Sequence, residues 1–441
     1  MKQIRLFWLL VFTSITMAVC AQNPTTPEEQ CELGKKYDKL GDDNNYDQNY
    51  YKQAIVWFRK AAEQGYAEAQ CWLGRYYRYG SGVQQDYAEA VKWFRKAIDQ
   101  GYDDAQYYLG NCYYDGKGVQ QDYAEAVKWF RKAAEQGQVD AMDMLGGCYY
   151  DGKGVQQNYA EAVKWYRKAA EQGNSTAQNH LANCYYNGKG VQQNYAEAVK
   201  WYKKAADQGH DWAQCNLADC YHNGQGVQQS HDEDVKLYKK AADQGNANAI
   251  YELGRHYEQG WGVTQNKRMA VDLLRKAAEK GHAAAQSQLG WYYQDGFGVQ
   301  INYAEAVKWY RKAVDQNFAM AQNNLGYCYE HGLGVQKNIN KAKELYVKAI
   351  ENGNELAKGN LSHLENETVY RRPNTSSYPK WTRGESEKQL LSRYRCEQVV
   401  SNGYIKCYKT HYNGDEFFFL IRGGRVMDVM NFEQWATFIL Q

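Results

Sequence analysis

Apolar and polar positions along this chain follow a helical period set inside a longer period of thirty-six residues. Over residues 104–114, Ala105, Leu109, Cys112 and Tyr113 fall at i, i+4, i+7 and i+8, one apolar stripe on an otherwise polar helix. Gly110 lies beside that stripe, where a missing side chain lets a partner helix approach. A loop follows, Asp115-Gly-Lys-Gly-Val-Gln-Gln-Asp122. A second helix then repeats the spacing with Ala126, Phe130, Ala133 and Ala134, and Gly137 supplies a left-handed stop. Residues 87–101, 123–137, 159–173 and 195–209 are near copies of this second helix, and 303–317 is another that closes on Asn317 instead of Gly. Leu73, Leu109, Leu145, Leu181, Leu217, Leu253, Leu289, Leu325 and Leu361 all stand thirty-six apart. A fixed period of this length means stacked helix pairs, so function has to be sought on a surface rather than in a single pocket.

In chain order, residues 22–30 read as a polar leader and residues 31–364 as nine helix pairs with a closing helix near 355–364. Leu33 stands forty before Leu73, so the first unit carries a four-residue loop insertion around residues 42–48. Pro24, Pro27, Pro373 and Pro379 all fall outside the array in this reading. Residues 365–383 have linker composition. In residues 384–441, Asn402-Gly403, Asn413-Gly414 and Gly423-Gly424 separate β-prone runs 396–400, 404–412, 416–421 and 426–430, an antiparallel meander. Asn431 then caps a short helix with Trp435, Phe438 and Ile439 on one face, which makes this a small α+β domain.

The pattern Ala-x-x-x-Leu-Gly, then Tyr-x-x-Gly-x-Gly-Val, then Tyr-x-x-Ala-x-x-Trp-Phe/Tyr-x-x-Ala-Ala-x-x-Gly resembles the Sel-one-like repeat, a tetratricopeptide-related family, over about residues 30–364. The resemblance implies an all-α right-handed superhelical solenoid of helix-turn-helix repeats. Three departures are local: Asp234 replaces an Ala, Asn317 replaces a Gly, and Lys267-Arg268-Met269 interrupts Tyr-Ala-Glu.

The amino terminus adds a location. A basic start at Lys2 and Arg5, an apolar run over residues 6–19, and Val19 and Ala21 before Gln22 read as a bacterial-type secretory signal, residues 1–21, so the chain is expected in the periplasm or outside the cell. Lipidation at Cys20 is disfavoured by the bulky Val19, and nothing later reaches transmembrane length. Without the signal, 51 basic residues face 51 acidic ones. Interleaved neutrality argues against nucleic acid as a partner. Oligomeric state is not legible here.

Candidate chemistry is sparse. Cys112, Cys148, Cys184, Cys220 and Cys328 share one repeat position, and Cys31, Cys71 and Cys215 another. Stacked helices put equivalent positions about 8 to 10 Å apart, too far for disulfides, so they read as small core residues. Cys396 and Cys407 lie outside the array and are free to pair. The Gly116-Lys-Gly118 loops lack a following Gly-Lys-Ser/Thr, and Ser377-Tyr-Pro-Lys380 has Pro379 where a helix start is needed. His210, Cys215, Cys220, His222 and His231 fit no zinc spacing. No catalytic residue, metal ligand or cofactor is assigned.

What varies between units is the first-helix surface. With the repeat leucine at zero and about 100° per residue, positions minus five, minus two and plus two lie opposite the core. This stripe carries Trp212 and Met320 at minus five, and Tyr107, Asn179, Tyr251 and Asn323 at minus two. At plus two it carries Arg75, Asn111, Asn183, Asp219, Arg255, Trp291 and Tyr327. In the resembled family such first helices line a concave face that holds a protein or peptide. Asn can grip an extended backbone through donor and acceptor together, and Trp and Tyr supply anchors. The leading expectation is therefore a non-catalytic binding scaffold, with Tyr251, Trp291 and Tyr327 favouring the carboxyl-terminal half. Two alternatives are a β-lactamase-like hydrolase, as the resemblance to cysteine-rich secreted relatives suggests, and an envelope spacer with no ligand.

Overall fold

The computed structural model describes residues 24–367 and the backbone of four strands within residues 397–431. Nineteen helices are present among the described residues. They are α1 Pro27–Asp43, α2 Gln48–Glu63, α3 Ala67–Tyr79, α4 Tyr87–Asp99, α5 Asp104–Asp115, α6 Tyr123–Glu135, α7 Val139–Asp151, α8 Tyr159–Glu171, α9 Ser175–Asn187 and α10 Tyr195–Asp207. They continue as α11 Asp211–Asn223, α12 His231–Asp243, α13 Ala247–Gln259, α14 Lys267–Glu279, α15 Ala283–Asp295, α16 Tyr303–Val314, α17 Ala319–His331, α18 Ile339–Glu351 and α19 Leu356–Glu367. Two compact units divide between Ser230 and His231, the first holding α1 to α11 and the second α12 onward.

The apolar stripes of successive helices meet, within a pair and from one pair to the next. Between α4 and α5, Val91, Phe94, Ala97, Ala105, Leu109 and Cys112 form one solvent-free cluster. Gly110 lies where a Cβ would come within 2.7 Å of the Phe130 ring, so the aromatic seats against bare backbone of the facing helix. The loop glycine Gly118 has φ +76°, and a Cβ there would stand 2.2 Å from the Tyr87 carbonyl oxygen of the preceding pair. That loop thus ties one pair to the preceding one, which is why the Gly-x-Gly returns from the second repeat onward, the first having no repeat before it in the array. Asp122 caps α6 by accepting from the Glu125 amide, as the second helices repeatedly do. Asn317 adopts φ +58°, taking the left-handed conformation of the glycine it replaces.

Beside arginine-to-tyrosine bonds such as Arg131 to Tyr149, two further kinds of bond cross between neighbouring pairs. Gln70, Gln178, Gln214 and Gln286 each donate to a carbonyl near the end of the preceding second helix, at Ala62, Ala170, Ala206 and Ala278, over 3.0 to 3.2 Å. Each adds a second bond to a last-turn carbonyl that already accepts from the amide of the closing glycine. The other kind joins side chains thirty-seven apart: His180 to Asp143 at 2.9 Å, Asn216 to Asn179 at 2.9 Å, and Asn360 to Asn323 at 2.8 Å.

The amino end departs from expectation. The leader was expected through residue 30, but α1 starts at Pro27, because Thr26 and Glu29 form a capping box around a proline in the first turn. Pro27 therefore belongs to the array. The four extra residues of the first unit lengthen α1 to 17 residues rather than its loop, with Gly41 against the Tyr51 ring. All eight array cysteines are free and buried, as core residues.

The strands are β1 Glu397–Ser401, β2 Ile405–Tyr412, β3 Asp415–Arg422 and β4 Arg425–Asn431, paired antiparallel in chain order. Ile405 opposes Arg422 and Tyr412 opposes Asp415, and the register shifts between Leu420 and Ile421 on the β4 side. Outside the described residues lie the signal at 1–21, Cys20, most of the linker with Ser377 to Lys380, Cys396 and the helix expected after Asn431. The side chain of Cys407 lies outside them too.

Candidate functional site

A groove opens in the first unit between α9 and α11. Its larger cavity, about 400 Å³, is lined by Thr176, Asn179, His180, Asn183, His210, Trp212 and Asn216. A smaller cavity of about 220 Å³ shares Asn183 and Asn216 with it and adds Tyr186, Asn187, Tyr202 and Asp219. Successive first helices stand side by side here, and asparagines take their groove-side positions.

The bonding of these amides defines what the groove can do. Asn216 Nδ2 donates to Asn179 Oδ1 at 2.9 Å and to Asn183 Oδ1 at 3.4 Å. The Tyr202 hydroxyl also donates to Asn183 Oδ1, at 2.5 Å. Asn179 Nδ2, Asn183 Nδ2 and Asn216 Oδ1 are left with no partner among the described residues. Each amide can do more than its neighbours ask of it. The groove therefore offers two donors and one acceptor, the set an extended peptide backbone matches. Trp212 stands at the rim, 54% exposed. His180 is held by Asp143 and lies 5.0 Å from the Tyr166 ring. His210 accepts from the Ala213 amide through Nδ1, which fixes it as a neutral cap of α11. Burial pushes its imidazole below the ordinary value, with His180 adding to this and Asp211 and Asp143 opposing it.

Of the stripe residues chosen from sequence, Asn179, Asn183, Trp212 and Asp219 come together here. Asn179 and Asn323 were expected on the open face, yet they are only 6% and 8% exposed. The reason is the thirty-seven-residue bond, since a neighbouring helix reaches over position minus two and draws it into the seam. Trp212 and Met320 are exposed as expected. Arg75, Tyr107, Asn111, Tyr251, Arg255, Trp291 and Tyr327 are half-buried. Several spend their surface on intramolecular contacts. The Arg75 guanidinium lies 3.9 Å from the Trp72 ring centre, Arg255 pairs with Glu252 at 3.0 Å, Tyr251 stacks on His282 at 4.6 Å, and Tyr327 rests on His331 at 4.1 Å. Trp291 packs toward Phe297 at 6.0 Å. The two described cavities thus lie in the first unit, away from the aromatics that drew attention to the carboxyl-terminal half.

Sequence reasoning missed Asn216, His180 and Thr176, and weighed His210 only as a metal candidate. Asn216 and His180 precede the repeat leucine by one, a position the helical wheel places on a flank, and only the neighbouring repeat turns that flank into groove. Of the cysteines and histidines flagged as metal-capable, Cys215 and Cys220 are core and His210 is a cap, whereas His231 lies in the second unit with its Nδ1 3.0 Å from Asp234 Oδ2. Among the described residues no helix is long and apolar enough to cross a membrane.

Comparison with known proteins agrees with this architecture. The Sel1 repeat model matches residues 30–66, 67–102, 103–138, 139–174, 175–210, 213–246, 247–282, 283–318 and 319–354. A structure of c5321, a protective antigen present in uropathogenic Escherichia coli strains displaying an SLR fold, is 37% identical and covers 78% of this chain and 80% of that one, with a TM-score of 0.52. A Sel1 repeat protein from Oxalobacter formigenes is 35% identical over 70% of this chain and 89% of that one, with a TM-score of 0.53. No curated protein matches the chain.

Proposed function

Because the chain belongs to the Sel1 repeat family, whose solenoids are typically protein-interaction scaffolds, we propose that it holds a protein or peptide on its first-helix face and performs no catalysis. The observation that carries this reading is the amide set of Asn179, Asn183 and Asn216, open to a ligand beside exposed Trp212. An extended backbone would bond the amides while an apolar side chain rests on the indole. The groove's lining holds amides, imidazoles, a threonine and an indole, a set that recognises rather than reacts. Within the first unit, Arg75, Tyr107 and Asn111 would extend this surface, and within the second, Tyr251, Arg255, Trp291, Met320, Asn323 and Tyr327 would line a first-helix surface of their own. The segment from residue 384 is read as a small α+β domain closing the carboxyl end, and the basic-apolar start supports a place in the bacterial envelope or outside the cell. The related uropathogenic protein is a protective antigen, which suits exposure of such a scaffold to the exterior.

The test is affinity. A partner recovered from envelope and medium fractions, then purified, should bind a Trp212→Ala, Asn183→Ala variant at least tenfold more weakly than wild type, the loss of about 1.4 kcal/mol expected when an anchor is removed. Equal binding, with helical circular dichroism unchanged, would move the site elsewhere.

A further inference from the structure

The second unit contains a polar cluster that the repeat pattern does not call for. Asp234, on the first turn of α12, is fully buried at a position where the neighbouring second helices carry Ala198 and Ala270, both also solvent-free. His256, on α13, is fully buried where the flanking first helices have Cys220 and Tyr292. The two departures meet: His256 Nε2 lies 3.1 Å from Asp234 Oδ2. His231, one turn before Asp234 on α12, brings Nδ1 to 3.0 Å from the same oxygen.

Protonation sharpens the picture. His256 Nδ1 lies 2.8 Å from the Glu252 carbonyl oxygen. A carbonyl only accepts, so Nδ1 carries the hydrogen, and whenever the ring is neutral it is Nε2 that presents a lone pair to the carboxylate. A backbone carbonyl orienting the far nitrogen is the arrangement metal-binding histidines adopt. A carboxylate oxygen facing a lone pair is repulsive until something positive stands between them. The three atoms also lie within 4.8 Å of one another. Tetrahedral zinc, with bonds of about 2.0 to 2.1 Å, sets its ligand atoms about 3.3 Å apart, close to the two spacings seen here. Trp261 stacks on His231 at 6.0 Å and meets His256 edge-on at 5.5 Å, an apolar wall beside the cluster. The His231 side chain is 32% exposed, which leaves one approach from solvent.

We propose that His231 Nδ1, Asp234 Oδ2 and His256 Nε2 bind one zinc-class divalent cation that staples α12 to α13. Two imidazoles and one carboxylate are a donor set suited to Zn(II) and to its spectroscopic stand-in Co(II).

The experiment uses tag-free, chelator-stripped full-length protein titrated with Co(II) and then Zn(II). Expected are one Co(II) per chain, visible tetrahedral d–d absorption without thiolate charge transfer, displacement by Zn(II), and a raised unfolding temperature. Asp234→Ala and His256→Tyr restore what neighbouring repeats carry, and each should weaken binding at least about a hundredfold and abolish the absorption. Should either fail to fold, His231→Tyr, matching Tyr195 and Tyr303 at the partly exposed position, gives the same readout. Wild type that takes up no stoichiometric metal, or variants that bind as wild type does, would overturn the proposal and leave a proton between imidazole and carboxylate.

Discussion

Replacing the two histidine caps, His210 and His282, by asparagine is expected to remove an acid sensitivity from the fold without removing the caps. His210 Nδ1 accepts from the Ala213 amide at 3.2 Å, and His282 Nδ1 from the Ala285 amide at 3.1 Å. In the equivalent places Asn174 and Asn246 accept from Ala177 and Ala249 at 2.8 and 3.0 Å. A ring nitrogen accepts only while unprotonated, whereas an amide oxygen accepts at any pH. Burial lowers both imidazoles below their ordinary value of 6.5. The unfolded chain therefore takes up protons more readily at these two sites than the folded one. Their contribution is fully present above about pH 6.5 and is lost as pH falls through that value toward the lower folded-state pKa. A cap contributes about 1 kcal/mol, so each unit should lose roughly that much between about pH 7.5 and pH 5.5, a fivefold change in the local folding equilibrium. Thermal unfolding followed by far-ultraviolet circular dichroism, wild type against His210→Asn, His282→Asn at both pH values, isolates the effect from the other histidines. Identical pH slopes in the two proteins would refute the assignment. So would a double variant less stable than wild type at about pH 7.5 by more than about 1 kcal/mol.

Three further outcomes follow from the geometry. Gly118→Ala puts a Cβ 2.2 Å from the Tyr87 carbonyl oxygen at φ +76°, and chemical denaturation should show a loss of at least about 1 to 3 kcal/mol. Burial pushes the Cys148 and Cys328 thiols up to about 12, so peptide-resolved alkylation of native protein should leave them unmodified until the chain unfolds. Asn216→Ala removes the donor shared by Asn179 and Asn183, so urea unfolding should show a cost of about 1 kcal/mol, whereas Trp212→Ala at an exposed position should stay within about 0.5 kcal/mol of wild type.

The helix pairs were legible because Leu109 and its copies repeat a packing instruction nine times, and periodicity averages out local noise. What a single repeat writes only once was harder to read. Thr26, Pro27 and Glu29 spell a helix start, yet their polarity resembles a leader. Position minus two looked solvated on an isolated wheel, and only the next repeat's Asn216 or Asn360 shows why Asn179 and Asn323 are buried. Asp234 stood out in the sequence only as an isolated departure, and His256, twenty-two residues on, was not singled out at all, since nothing local shows that the two meet in the core.

The bonds between neighbouring pairs differ in what they tolerate. A glutamine that reaches a backbone carbonyl, as Gln178 does at Ala170, will accept any preceding repeat that ends in a helix. Asp143 is more particular, because it needs a histidine or another donor thirty-seven residues on, and Asn179 needs an amide there. Duplicating or excising one thirty-six-residue unit would leave these glutamine-to-carbonyl bonds in place while setting the paired side chains against strangers. Repeats that are interchangeable as building material are thus not interchangeable in order. The asparagine-lined groove requires the units bearing Asn179 and Asn216 to be neighbours, so recombination within this array would alter the groove before it disturbed the fold.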